Sequence, residues 1–200
     1  MRCQSLAYIG LVVDVSIRHP DLGEHPQTSR TTRQRAQRLE RAEGEVVKPR
    51  INYGKVAPGT YAAMDALDQY VQTCGLEKSL VMLVQLRASQ INGCAYCLDM
   101  HWKDLCAIGE QEQRLYSLPA WRECPYYTER ERAALAWTEA VTMIQGDHVP
   151  DAVYREVQPH FTAKELADLT LAVAAINAWN RVSIAGRLVP GTYQPAQPPR

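Results

Sequence analysis

Leu86-Arg-Ala-Ser-Gln-Ile-Asn-Gly-Cys-Ala-Tyr-Cys-Leu-Asp-Met-His101 is the stretch that decides the fold. It ends a run with helical periodicity, in which Leu80, Leu83, Val84 and Arg87 share one side of a helix from about Glu77 to Ser89. Asn92 and Gly93 interrupt that run, and a new helix is predicted from about Cys94 to Ala107, stopping at Gly109. A C-x-x-C pair at the start of a helix that follows another helix, rather than a strand, does not fit the thioredoxin βαβ arrangement. The redox or metal chemistry such a pair suggests therefore sits on a helical scaffold.

Outward from this stretch the helical period continues. Pro58 suits a first helical position, and Tyr61, Met64, Leu67 and Val71 form a stripe that ends before Gly75. A short helix is expected at Gln111–Leu118, with Pro119 and Pro125 bracketing a loop that contains Trp121. Thr128 with Glu131, and Thr162 with Glu165, are capping boxes in which hydroxyl and carboxylate satisfy free amides at a helix start. They open helices that reach about Ile144 and Ile184, and another short helix is expected at Pro150–Val157. No stretch alternates with period two as a strand pair would. The predicted fold class is all-α, a helical bundle.

The core region is assigned to residues 51–188. Residues 1–50 form a polar extension whose segment Arg33–Glu45 offers too few apolar anchors for a packed helix. Residues 189–200 form a proline-rich tail expected to be disordered. The 22 basic and 22 acidic side chains cancel, which argues against nucleic acid or an anionic membrane surface as partner. Leu6–Val13 is apolar but short and interrupted by Asp14, so a secretory signal is not expected, and nothing reaches the length of a membrane span. A cytoplasmic location is the expectation, since the six cysteines are too scattered for a disulfide scaffold.

Cys94, Cys97 and His101 follow C-x-x-C-x-x-x-H, and a rotation of about 100° per residue brings all three to one narrow helix face. A disulfide between the cysteines is geometrically possible at the first turn. That turn also leaves N–H groups unpaired, and helix N-termini or a neighbouring imidazolium lower thiol pKa values from about 8.5 to roughly 3.5–7.5. Asp104, three residues beyond His101, extends the face and is a candidate to hold the imidazole in one tautomer. Asp99 projects elsewhere and reads as solvated. Two rival readings remain beside this one: a pair of small packed residues, or a tetrahedral zinc site. Zinc would have to recruit Cys106, Cys124 or His148 singly, so no metal is assigned. Cys74 and Cys106 read as core, and His19, His25, His148 and His160 as ordinary surface or capping residues.

The stretch Leu86–His101, together with Ile51-Asn-Tyr-Gly-Lys-Val-Ala-Pro58, Glu129-Arg-Glu-Arg-Ala-Ala-Leu-Ala-Trp-Thr-Glu-Ala140 and Ala175-Ile-Asn-Ala-Trp-Asn-Arg181, resembles the alkylhydroperoxidase D-like proteins of the carboxymuconolactone decarboxylase superfamily. The resemblance implies an all-helical fold assembling as a trimer or hexamer, and a thiol peroxidase cycle without metal, haem or flavin. By that analogy Cys97 attacks the peroxide, Cys94 supplies a proton and closes the disulfide, and an external thiol reductant reopens it. His101 belongs to the proton relay. Two positions depart from the pattern: Met82 stands where the peroxidase type has a glutamate, and Tyr96 where it has a histidine before the second cysteine. Lactone decarboxylation, which does not require the cysteine pair, and a non-enzymatic redox-sensing oligomer are the competing functions.

Overall fold

The computed structural model describes residues 47–195; the expectations for most of the polar extension and for the end of the tail lie outside them. Among the described residues there are nine α-helices and no strand. Their order is α1 (Tyr53–Val56), α2 (Pro58–Thr73), α3 (Lys78–Asn92), α4 (Ala95–Ala107), α5 (Glu112–Ser117), α6 (Glu129–Thr142), α7 (Ile144–Asp147), α8 (Asp151–Val157) and α9 (Ala163–Gly186). The expected all-α bundle is what forms. Short 3₁₀ turns follow α5 and α8. The turns α1 and α7 are additions to the elements expected from periodicity, which one-turn segments are too short to display.

The local signals act where they were read. Pro58 stands in the first turn of α2, and both capping boxes are complete, at Thr128 with Glu131 and at Thr162 with Glu165. Gly93 closes α3 in the left-handed region, at φ 68°, where a side chain would be strained.

The central element is α3, which packs against α4, α6 and α9. Every residue from Leu80 to Leu86 is buried. A one-sided stripe was expected there; covering by three neighbours makes the helix buried nearly all round instead. Leu83 and Leu86 join Leu105, Leu118 and Leu135 in one cluster, while Leu80 and Val84 join Ala134, Trp137 and Leu169 in another. Arg87, at the edge of this environment and partly buried, is received by Glu139 of α6, at 2.9 Å from Nε and 2.7 Å from Nη2. Trp121 Nε1 donates to the same carboxylate at 2.8 Å. Burial pushes the Glu139 pKa up, but the bonds from Trp121, Arg122 and Arg87 outweigh it and hold the group below its ordinary value.

A polar seam fastens the end of α3 to α9. Asn92 Nδ2 donates to Asn180 Oδ1 at 2.8 Å and to Asn177 Oδ1 at 3.0 Å, and Asn180 Nδ2 donates to Ser89 Oγ at 3.0 Å. The turn that leads into Cys94 is thus held from behind.

The expectation of a disordered tail is corrected over its described part. The Gly191 amide donates to Asp99 Oδ2 at 3.0 Å, Lys103 Nζ donates to the Tyr193 carbonyl at 3.1 Å, and Tyr193 Oη donates to Asp104 Oδ1 at 2.7 Å. Asp99 is accordingly no idle solvated group: it pairs with Lys103 at 2.8 Å and anchors the strap that crosses α4. Proline and glycine prevent a helix here, but they do not prevent docking through backbone groups.

Candidate active site

Cys94 is the N-cap of α4, and its Sγ accepts from the Cys97 amide at 3.3 Å. The Cys94 amide in turn donates to the Ser89 carbonyl at 3.1 Å, which ties the cap to the last turn of α3. The two sulfurs are at disulfide distance, with Cα atoms 5.3 Å apart. Both cysteines are only 1% exposed.

Cys97, His101 and Asp104 line one cavity of about 330 Å³, and Cys94 lies behind it as the disulfide partner of Cys97. The sequence-predicted face is therefore brought together, and of the two cysteines Cys97 is the one in the cavity lining. His101 is 5% exposed, and neither ring nitrogen has a hydrogen-bond partner. Burial holds its pKa down to about 4, so the ring is a neutral imidazole at neutral pH. Asp104 does not orient it. The Asp104 carboxylate accepts instead from Tyr193, and burial pushes its pKa up against the lowering effects of that bond and of Lys78.

Met82, in place of the glutamate of the peroxidase pattern, contributes a thioether to the lining, with Gln85 beside it. Three functional groups were not singled out from the sequence. Tyr61, Asp65 and Asp68 of α2 face the cavity, at spacings of four and three residues that mark one helix face. That i, i+4, i+7 pattern was the available signal. Burial and the neighbouring Asp65 raise the Asp68 pKa, partly offset by a hydrogen bond from Gln72. Trp179 of α9 and Tyr193 of the strap close the remaining sides.

The fold and site together define an all-helical protein with two buried cysteines at disulfide distance beside a cavity. Residues 58–140 match the carboxymuconolactone decarboxylase family. The uncharacterized protein YdfG of Bacillus subtilis is 40% identical over 136 residues, which are 68% of this chain and 92% of that one. A crystal structure of a protein of unknown function from Agrobacterium tumefaciens, with a suggested role in antioxidant defence as an AhpD, superposes with a TM-score of 0.71 at 44% identity. That match covers 73% of this chain and 100% of the other. An uncharacterized peroxidase-related protein from Ralstonia eutropha shares the fold at 20% identity, with a TM-score of 0.61 over 88% of this chain and 95% of its own. This chain belongs to the carboxymuconolactone decarboxylase family, as an alkylhydroperoxidase D-like member. Among the described residues, no helix is long and apolar enough to cross a membrane.

Proposed function

We propose that the protein is a thiol-dependent hydroperoxide reductase whose dithiol is Cys94 and Cys97. The observation that carries this reading is the placement of Cys97 in the cavity wall with Cys94 at disulfide distance behind it and a neutral His101 one helical turn further on. The Cys97 thiolate attacks the outer oxygen of a hydroperoxide, the O–O bond breaks, and Cys97 becomes a sulfenic acid while an alkoxide leaves. The alkoxide takes a proton within the cavity and departs as an alcohol. The Cys94 thiol then displaces the sulfenic hydroxyl, giving the disulfide and one water. An external thiol reductant returns two electrons and two protons.

His101 has low proton affinity in its dry surroundings, so it relays the Cys97 proton rather than storing it. Met82 cannot move a proton. The Tyr193–Asp104 pair, a hydrogen-bonded carboxylate with its pKa raised by burial, is the proton-carrying group we assign in its place. Assembly into a trimer or hexamer belongs to the same reading and is measured by light scattering of the full chain.

The test follows turnover of an organic hydroperoxide with a dithiol reductant. Stoichiometric hydroperoxide is expected to consume two thiols and to protect Cys94 and Cys97 together from alkylation. Cys97→Ser is expected to abolish turnover, and unchanged turnover in that variant would overturn the proposal.

A further inference from the structure

The cavity beside Cys97 carries three carboxyl groups, those of Asp65, Asp68 and Asp104, and its lining contains neither lysine nor arginine. Among the described residues, no lysine or arginine forms an ion pair with Asp65 or Asp68. Lys78 acts on Asp104 from outside the lining and offsets part of one charge. His101 offsets none, because burial keeps the ring neutral. Beside the larger effect of burial, the neighbouring Asp65 helps to raise the Asp68 pKa, as expected of like charges on one helix face.

Two further features indicate a ligand. His101 is buried at the cavity wall with no protein group bonded to either ring nitrogen, which leaves both to a polar group of a ligand. The rest of the wall is built for an organic body: Met82, Met100, Ile176 and Leu188 are apolar, and Tyr61 and Trp179 add aromatic surface. A space of about 330 Å³ far exceeds that of hydrogen peroxide, given that one water occupies ~30 Å³ in the liquid.

We propose that this cavity selects its substrate by charge, admitting neutral and cationic organic hydroperoxides and turning away those that carry a carboxylate. The inference rests on the hydroperoxide reading of the site. An anionic substrate must bring its charge past the exposed Asp65 and the half-buried Asp68 to reach Cys97, and at low ionic strength, where such charges are little screened, that repulsion lowers its rate by about tenfold. A cationic group meets the same carboxylates and the aromatic faces favourably.

Two measurements on the full chain separate the inference from its premise. The first does not need peroxidase activity: the reduced protein is treated at pH 8 with methanethiosulfonates bearing a methyl, an aminoethyl or a sulfonatoethyl group. Modification of Cys97 is followed by peptide mass spectrometry, and each rate is divided by that of a free small thiol. The aminoethyl reagent is expected to react about tenfold or more faster than the sulfonatoethyl reagent. The ratio should approach one in the Asp65→Asn/Asp68→Asn double variant, with circular dichroism confirming the helical fold. Equal normalised rates in the native chain, or a ratio unchanged by the double substitution, overturn the proposal.

The second measurement compares kcat/KM for cumene hydroperoxide and for its para-carboxy derivative. The neutral compound is expected to be preferred about tenfold. Equal turnover of both overturns the charge selection while leaving the reductase reading in place. Turnover of neither, with the reagent ratio preserved, overturns the reductase reading and with it the hydroperoxide assignment, and leaves a charge-selective thiol site.

Discussion

Replacing His101 by leucine tests the electrostatics on which the site depends. The native ring titrates at about 4 instead of 6.5 because burial opposes its charged form and no partner supports it. Above pH 6.5 neither the folded nor the unfolded chain protonates it. Between 6.5 and about 4 the unfolded chain takes up a proton that the folded chain refuses, so acid favours unfolding; below about 4 both carry it and the penalty is complete. The whole difference is about 3 kcal/mol, and roughly 2 kcal/mol of it falls between pH 7 and pH 5. That is a large share of a typical domain stability of about 5–15 kcal/mol. Urea unfolding of the oxidised native chain and of His101→Leu at pH 7, 6 and 5 isolates the contribution, because the carboxylates titrating in the same range are common to both. The native chain should lose about 2 kcal/mol more than the variant on going from pH 7 to pH 5. At pH 7 the variant should be no less stable, since burying each unpaired ring nitrogen costs on the order of 1–3 kcal/mol. A stability difference that stays constant from pH 7 to pH 5 would refute a neutral, unpartnered imidazole at the cavity.

Two further perturbations probe what holds the site in place. Glu139→Gln leaves the partly buried Arg87 guanidinium without its counter-charge, at a cost of roughly 2 kcal/mol, so thermal unfolding should shift down by about 4–8 °C; a shift below 2 °C would mean that the pair contributes little. Tyr193→Phe removes the bond to Asp104, and because that bond opposes the upward push of burial, the Asp104 pKa should rise further. Carboxyl carbon NMR across a pH titration reads this directly, and an unmoved Asp104 titration would show that the strap does not reach α4 in solution.

What could be read from the sequence divides according to how far apart the interacting residues lie. Thr128 and Thr162 meet their partners three residues away, Gly93 needs only its own backbone angle, and Cys97 and His101 are one turn apart, so each was legible from spacing alone. Asp104 shows where that reasoning stops. Its place on the helix face was correct, but its hydrogen-bond partner is 89 residues away in a segment whose proline content announces only the absence of helix. Asp99 was read as solvated for the same reason, since the Gly191 amide that it receives lies 92 residues further on. The α2 carboxyls are an intermediate case: their shared face is visible in the spacing, whereas the fact that it turns toward Cys97 follows from how α2, α3, α4 and α9 pack. The charge environment of the dithiol is thus assembled almost entirely by long-range packing, while the dithiol itself is written locally. A chain with the same C-x-x-C-x-x-x-H face but without Asp65 and Asp68 would keep the sulfur chemistry and lose the selection we assign to this cavity.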